Sequence, residues 1–225
     1  MALIKTVDLS KIYISGKKIE TKALKYINVE IEEGEFTVIH GPSGSGKTTL
    51  LNMVGGLDAP TSGDVYFDND LISKKKEAPL SKIRLHKIGF IFQAYNLIPV
   101  LTAMENIEYV MMLQGIEEKV RRDKAQKIAD HIGIGELLHK TPSEMSGGQQ
   151  QRVAIARAIV GEPKLILADE PTANIDSETG SGLLDMMKKL NEEKNITFVF
   201  STHDPMVIEK ARRKISLHDG KIINS

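Results

Sequence analysis

The stretch GPSGSGKT, residues 41–48, decides how this sequence folds. It fits the pattern G-x-x-x-x-G-K-S/T and lies between a strand-like run, FTVIH at 36–40, and a helix-like run, KTTLLNMV at 47–54. Glycines let the backbone curl so that successive N–H groups point at phosphate oxygens, and the following helix adds its positive N-terminal end. In this context the pattern predicts a loop that binds the phosphates of a nucleotide.

Every residue of this loop is a candidate ATP ligand. The Lys47 ammonium is expected to reach the β- and γ-phosphates, and the Thr48 hydroxyl to ligate Mg²⁺. The alternative is a glycine turn followed by a chance Lys-Thr pair. The predicted ATP-binding set is Gly41, Pro42, Ser43, Gly44, Ser45, Gly46, Lys47, Thr48 and the adjoining Thr49.

Two carboxylates follow an apolar run further along the chain. LILA at 165–168 is typical of a buried strand and runs directly into Asp169 and Glu170. A phosphate-loop enzyme needs such a carboxylate near its metal, usually at a strand end. Asp169 is therefore predicted to hold Mg²⁺ through water, and Glu170 to polarise an attacking water. An acidic surface turn is the alternative.

A second glycine-containing segment precedes the helix-like run QQQRVAIARAIV at 149–160. A serine and two glycines at a helix N-terminus again favour an anion. Since residues 41–48 already supply one phosphate cradle, a second cradle suggests a second copy of the chain facing the first. A plain helix cap is the alternative. The four residues concerned are Ser146, Gly147, Gly148 and Gln149.

Composition restricts the classes of protein that remain. Lys plus Arg and Asp plus Glu both number 30 in 225 residues, so a basic footprint for nucleic acid is not expected. The chain has no cysteine, which excludes disulfides, thiol catalysis and Cys-based zinc sites. Because no apolar stretch approaches ~18 residues, we expect no membrane-spanning helix. The N-terminal segment lacks the apolar region of a signal peptide.

Strand-like and helix-like runs alternate along the chain. Further strands are predicted at 88–92 and 197–201, and further helices at 119–132 and 182–193. Asp219-Gly220 between apolar runs predicts a hairpin near the end. This alternation predicts an α/β fold with a mainly parallel sheet.

The ordered motifs resemble those of ABC (ATP-binding cassette) ATPases. MSGGQ at 145–149 resembles the signature that defines this class. Gln93 resembles its Q-loop glutamine, ANID at 173–176 its D-loop, and His203 its switch histidine. The resemblance covers nearly the whole chain. Three further stretches, at 55–58, 92–99 and 101–106, are similar to the macrolide-exporter and lipoprotein-release (MacB/LolD) group.

The resemblance implies roles for single residues. Gln93 would join Thr48 as a Mg²⁺ ligand, Glu170 would act as the base, and His203 would touch the γ-phosphate. Asp176 would cross a dimer interface, where the signature contacts the other copy's ATP. An N-terminal aromatic stacks on adenine in this family, and Tyr13 is the candidate here. The alternative is that Tyr13 is an ordinary strand residue without a role in binding.

The resemblance also implies architecture and partners. We expect one domain over 1–225: a P-loop NTPase core with a RecA-like parallel sheet, an N-terminal antiparallel β region and a helical subdomain near 95–160. The expected partners are ATP with Mg²⁺, a second copy or a paralogous ABC subunit, and an integral-membrane permease, without nucleic acid. The expected location is peripheral, on the cytoplasmic side of the inner membrane.

Three functions remain open at this point. The first is a transporter motor that exports a lipoprotein, peptide or drug, and the second is a motor that transmits force or signals without transport. The third, a soluble role in DNA repair or translation, is disfavoured. Too few residues separate Gln93 from Ser146 for the coiled coil of repair members, and translation members usually fuse two cassettes. The apolar segment 94–113 is predicted to be a permease-docking groove, with ordinary core as its alternative.

Overall fold

The computed structural model describes residues 2–14, 16 and 19–224, which form two β-sheets, seven α-helices and two short 3-10 helices (Gly135–Leu137 and Pro142–Glu144). The strands are β1 (Ala2–Ile14), β2 (Glu20–Glu32), β3 (Phe36–His40), β4 (Ser62–Phe67), β5 (Asp70–Leu71), β6 (Ile88–Ile91), β7 (Leu165–Asp169), β8 (Thr197–Thr202), β9 (Arg213–His218) and β10 (Lys221–Asn224). The helices are α1 (Lys47–Val54), α2 (Glu77–Lys87), α3 (Ala103–Leu113), α4 (Glu118–His131), α5 (Gly147–Ile159), α6 (Ser177–Lys194) and α7 (Pro205–Lys210).

The central sheet has the strand order β10-β9-β3-β8-β7-β6. From β9 to β6 neighbouring strands run parallel, and β10 pairs antiparallel with β9. Strands β3, β7 and β8 are buried along nearly their whole length, which explains why their sequences are continuous apolar runs. The predicted α/β fold with a mainly parallel sheet is confirmed. Its order brings the carboxyl ends of β3, β8 and β7 side by side.

The second sheet is antiparallel, with the order β2-β1-β4-β5. Its hairpin reaches the central sheet, where the Lys25 N–H donates to the Gly220 carbonyl at 2.7 Å. The Ala23 carbonyl lies so close to the phosphate loop that a Cβ at Gly46 would be 2.5 Å from it. The antiparallel N-terminal region implied by the resemblance is confirmed, and it forms one wall of the phosphate loop.

Helices α3, α4 and α5 pack together beside the central sheet. The buried stripe of α3 consists of Ala103, Ile107 and Met111, which share one face because they are four residues apart. A capping box between Thr102 and Glu105 starts this helix. Among the described residues, no helix has both the length and the apolar character needed to span a bilayer.

The helix boundaries differ from the sequence prediction in instructive ways. Helices α4 and α5 begin and end within about two residues of the predicted bounds. Helix α6 begins at Ser177 rather than 182, because the Asp176 side chain caps it by accepting from the Thr179 N–H at 2.9 Å. Helix α2 was not predicted: none of its residues is buried, and it meets the core through the partly buried Leu80 and Ile83, so its apolar face is narrow.

Asn106 is the polar residue that holds the loop before α3. It is 0% exposed. Its Oδ1 accepts from the Ile98 N–H at 2.8 Å, and its Nδ2 lies 3.0 Å from the carbonyls of both Leu101 and Thr102. One buried amide therefore satisfies backbone groups that would otherwise lack partners away from water.

We predict that Asn106→Ala lowers the free energy of unfolding by about 1–3 kcal/mol, because it leaves buried backbone groups unsatisfied. Met112→Ala, on the exposed face of the same helix, should change it by less than about 0.5 kcal/mol. Urea titration followed by circular dichroism measures both. Equal stability of the two variants would contradict the role given to Asn106.

Candidate functional site

A cleft of about 420 Å³ opens over the phosphate loop, where β3 ends and α1 begins. The loop forms its floor. Gln93, Glu170 and His203 line it from the central sheet, and residues 21–23 of β2 line it from the antiparallel sheet. Residues from five separate parts of the chain therefore meet at the carboxyl end of the parallel sheet, the usual place for a ligand in such a fold.

The backbone of the phosphate loop requires glycine at several positions. Gly44 and Gly46 have φ values of 78° and 106°, in the region that side chains disfavour. At Gly41 a Cβ would collide with the Leu217 carbonyl. The Lys47 ammonium points back into this loop and donates to the carbonyls of Gly41 at 2.8 Å and Pro42 at 3.0 Å. The loop thus holds a cation at a helix N-terminus, as phosphate binding requires.

Thr48 and Asp169 meet beside the loop. The Thr48 hydroxyl lies 3.1 Å and 3.0 Å from the two carboxylate oxygens of Asp169, at the end of β7. The exposed Gln93 lines the same cleft. Over the residues that the structure describes, no cluster of three or more His, Cys, Asp or Glu could hold a metal. A hydroxyl, a carboxylate and an amide fit Mg²⁺, which binds few protein oxygens and keeps water and phosphate ligands.

Glu170 and His203 are in direct contact, which spacing alone did not predict. Glu170 Oε1 lies 2.7 Å from His203 Nδ1, and Glu170 Oε2 accepts from the Thr202 hydroxyl at 2.7 Å. When the carboxylate is ionised it can only accept, and Nδ1 is then the donor in this contact. The Glu170 side chain is 16% exposed and the His203 side chain 70%. The carboxylate is thereby fixed in place while the imidazole faces the open cleft.

The positions of these two residues follow from the sheet. Glu170 has a φ of 45° and its N–H donates to the Ser201 carbonyl at 2.8 Å, so the chain turns sharply at the end of β7. Thr202 ends the adjacent strand β8. Sequence reasoning missed Thr202, because nothing in a lone threonine before a histidine signals a contact with a carboxylate elsewhere in the chain.

The signature residues 146–149 lie at the start of α5 and outside the described lining of the cleft. Ser146 caps the helix: its side chain accepts from the Gln149 N–H at 3.3 Å, and Gln149 Oε1 accepts from the Ser146 N–H at 2.9 Å. A Cβ at Gly147 would lie 2.8 Å from the Tyr95 hydroxyl, and one at Gly148 would lie 2.6 Å from a Thr179 methyl. The glycines therefore allow close packing, and residues 146–149 are not among those that line the cleft over the phosphate loop.

Tyr13 lies on β1 beside the end of α1 and is 41% exposed. Its hydroxyl donates to Asp58 Oδ2 at 2.9 Å, and the Lys11 ammonium lies 4.8 Å from its ring centroid. Burial, followed by the bond to Asp58, raises the pKa of Tyr13. Desolvation acts to raise the pKa of Asp58, but hydrogen bonds from Lys11 and Tyr13 outweigh it and lower that pKa. The ring is therefore held in one orientation.

Residues 24–173 match the family described as ABC transporter. The chain is 43% identical to a lipoprotein-releasing system ATP-binding protein, LolD 1, of Chlorobium chlorochromatii, covering 92% of this chain and 85% of that protein. It is 42% identical to the macrolide export ATP-binding/permease protein MacB of Syntrophobacter fumaroxidans, covering 99% of this chain and 31% of that protein.

A solved structure is similar over almost its whole length. The ATP-binding cassette MJ0796 of Methanocaldococcus jannaschii, a dimer in a post-hydrolysis state bound to ADP and Pi, superimposes with a TM-score of 0.91. Sequence identity is 44%, and the match covers 98% of this chain and 97% of that chain. At 44% identity the two chains are similar in sequence as well as in fold.

We predict that Lys47→Ala lowers ATP hydrolysis at least about 100-fold, because a preorganised cation facing transferred phosphate typically contributes that much. Lys189→Ala, which removes a lysine from the surface of α6, should leave the rate unchanged. Phosphate release measures both, and thermal melting verifies that both variants are folded. Normal turnover by a folded Lys47→Ala protein would refute the assignment of the loop.

Proposed function

The chain belongs to the ABC transporter family as an ATP-hydrolysing subunit, and on that premise we propose that two copies, or one copy and a paralogous ABC subunit, close around two ATP molecules. The observation that carries this proposal is the position of residues 146–149, a helix N-terminal anion device outside the cleft of its own phosphate loop. In a two-fold arrangement, each signature would cap the γ-phosphate held by the other copy. MJ0796, with which the chain shares 44% identity, is dimeric.

The cleft residues would divide the work of hydrolysis. The loop amides and Lys47 bind the phosphates and orient the γ-phosphate. Thr48 and Gln93 would ligate Mg²⁺ directly, and Asp169 would hold its water shell. The metal, when bound, supplies charge neutralisation on the phosphate oxygens. Asp176 would lie at the interface between copies. In the single chain, hydrogen bonds from Thr179 lower the pKa of Asp176.

Glu170 is the proposed general base. Its carboxylate is oriented by Thr202 and His203, so one oxygen can accept the proton of a water attacking the γ-phosphate. His203 would contact the γ-phosphate from the exposed side of its ring. Their direct contact makes the position of the base depend on the residue that senses the phosphate. Tyr13, held by Asp58, would stack its ring on adenine.

The membrane partner would dock in an apolar groove of about 470 Å³ on the other side of the Q-loop. Segment 94–113 contributes both to the core and to this groove. Ala103, Ile107 and Met111 are buried in the core, whereas other positions of the segment line the groove. The apolar lining consists of Leu57, Leu85, Ile88, Phe90, Phe92, Ile98, Tyr109, Val110 and Leu113. A short amphipathic helix of a permease fits such a surface.

The groove is connected to the nucleotide cleft by a short path. Phe92 lines the groove and Gln93, the next residue, lines the cleft. We propose that the helices between 95 and 160 carry the signature and one wall of the groove together as one subdomain. If Mg²⁺-ATP displaced Gln93, the movement would pass to the groove through the adjacent Phe92 and so reach the bound permease helix.

For the whole protein we propose export of a lipoprotein, peptide or drug, from a peripheral position on the cytoplasmic side of the inner membrane. The names of the LolD and MacB relatives support this class of cargo. Force transmission or signalling without transport is the second candidate, because the same groove and ATP cycle would serve it. Reconstitution with the permease in vesicles separates the two by whether cargo moves.

We predict that Glu170→Gln lowers the hydrolysis rate about 10²–10⁴-fold while ATP binding persists, because the amide keeps the size of the side chain and loses its basicity. ATP should then hold two copies together, and light scattering should report a dimer with ATP and a monomer without it. Ser146→Arg in the same background should restore the monomer, because its side chain would occupy the space of the other copy's γ-phosphate. A Glu170→Gln protein that stays monomeric at saturating ATP would count against the two-copy arrangement.

We predict that Leu113→Glu, on the groove, abolishes co-purification with the permease and leaves basal ATPase intact, because burying an unpaired carboxylate at an apolar interface is costly. Leu113 is 55% exposed, so the folded chain tolerates the charge. Met112→Glu is the matched control, since it is adjacent, 46% exposed and outside the groove lining. Retained permease binding by Leu113→Glu would show that the groove is not the docking surface.

A further inference from the structure

The backbone just after Gln93 adopts a conformation that needs external support. Tyr95 and Asn96 have φ values of 59° and 50°, two consecutive non-glycine residues in the left-handed region. Such a conformation costs roughly 1–2 kcal/mol per residue and persists only where surrounding contacts impose it. The support comes from Arg157 on α5: its Nη2 donates to the Tyr95 carbonyl at 2.9 Å and its Nη1 to the Asn96 carbonyl at 2.6 Å.

The Tyr95 side chain joins this turn to two other functional loops. Its hydroxyl donates to the Asn174 carbonyl in the D-loop at 3.3 Å. The same hydroxyl packs against the signature, 2.8 Å from the position of a Cβ on Gly147. Asn174 in turn links the D-loop to the Q-loop, because its Nδ2 donates to the Gln93 carbonyl at 2.9 Å. The Q-loop, D-loop and signature therefore meet at one tyrosine hydroxyl and one asparagine.

We propose that Tyr95 and Arg157 are positioning residues that connect the two ATP sites of the dimer, so that occupancy of one site sets the geometry presented to the other. The proposal rests on the proposed function, because it requires each signature to face the other copy's ATP. Gln93 faces the ATP of its own copy, whereas Gly147 and its neighbours face the ATP of the second copy. Tyr95 and Asn174 lie directly between them.

The connection is rigid rather than loose. Arg157 presents two donors from one planar guanidinium, which fixes both carbonyls of the strained turn relative to α5, and the signature begins that same helix. A shift of the Gln93 carbonyl must move Asn174 or break their bond. Either event changes the contact between the Asn174 carbonyl, the Tyr95 hydroxyl and Gly147. A tyrosine that merely filled space would not need its hydroxyl for this.

The test is the ATP dependence of steady-state hydrolysis by the full chain. We expect a Hill coefficient near 2 for the wild type and near 1 for Tyr95→Phe, with kcat reduced about 3–10-fold, in the range of one hydrogen bond. The ring remains, so the melting temperature should stay within about 2 °C. Tyr26→Phe is the matched control: it removes the hydroxyl of an exposed tyrosine on β2, and its Hill coefficient should match the wild type.

A second pair of variants tests the guanidinium on the same helix. Arg157→Lys keeps the charge but cannot hold two carbonyls in one plane, so it should also lower the Hill coefficient toward 1. Arg152→Lys is its control, because Arg152 also lies on α5 but donates to the Ile132 carbonyl at the end of α4. It should remain cooperative.

The outcomes separate this inference from the function on which it rests. If wild type hydrolyses ATP and dimerises but Tyr95→Phe keeps its Hill coefficient and kcat, the connection through Tyr95 is wrong. A wild type that hydrolyses ATP with a Hill coefficient of 1 also overturns it, since no communication exists to be carried. If wild type neither dimerises nor hydrolyses ATP, the proposed function itself fails.

Discussion

The whole arrangement depends on one electrostatic constraint, the concentration of positive potential at the start of α1. Lys47 folds its ammonium back against two carbonyls of its own loop, at a helix end whose N–H groups also attract anions. The left-handed backbone at Gly44 and Gly46 favours glycine, and at Gly46 the Ala23 carbonyl of the antiparallel sheet leaves no room for a side chain. A phosphate chain is the ligand that best satisfies such a site, so the fold around it is organised to hold and then release a polyphosphate.

The parallel sheet places the reactive groups around that point. Because β3, β8 and β7 are adjacent, the loop, His203 and Glu170 emerge at the same edge although they are distant in sequence. Their order makes the base and the phosphate sensor neighbours, 2.7 Å apart. The signature, at the start of another helix, stands outside this edge. A second copy would therefore complete the site, and the D-loop and Q-loop lie where the two halves would communicate.

Much of this could be predicted from the sequence, because the decisive features are local. The glycine loop, the apolar run ending in Asp169 and the signature each show their chemistry within a few residues. What could not be predicted depends on contacts across the fold. Tyr95 meets a residue 79 positions away, and the Glu170–His203 contact spans 33. Helix α2 gave only a weak signal, because none of its residues is buried and its apolar face is limited to the partly buried Leu80 and Ile83.

In the proposed dimer, the phosphate loop of one copy faces the signature of the other. The chain has no cysteine, so single cysteines can be placed at will. One preparation carries Ser43→Cys and a second carries Ser146→Cys, each with hydrolysis slowed at Glu170, and the two are mixed with a short thiol cross-linker. We predict a cross-linked pair between the two variants that forms with Mg²⁺-ATP and not without nucleotide. Equal cross-linking in both conditions, or none with ATP, would contradict it.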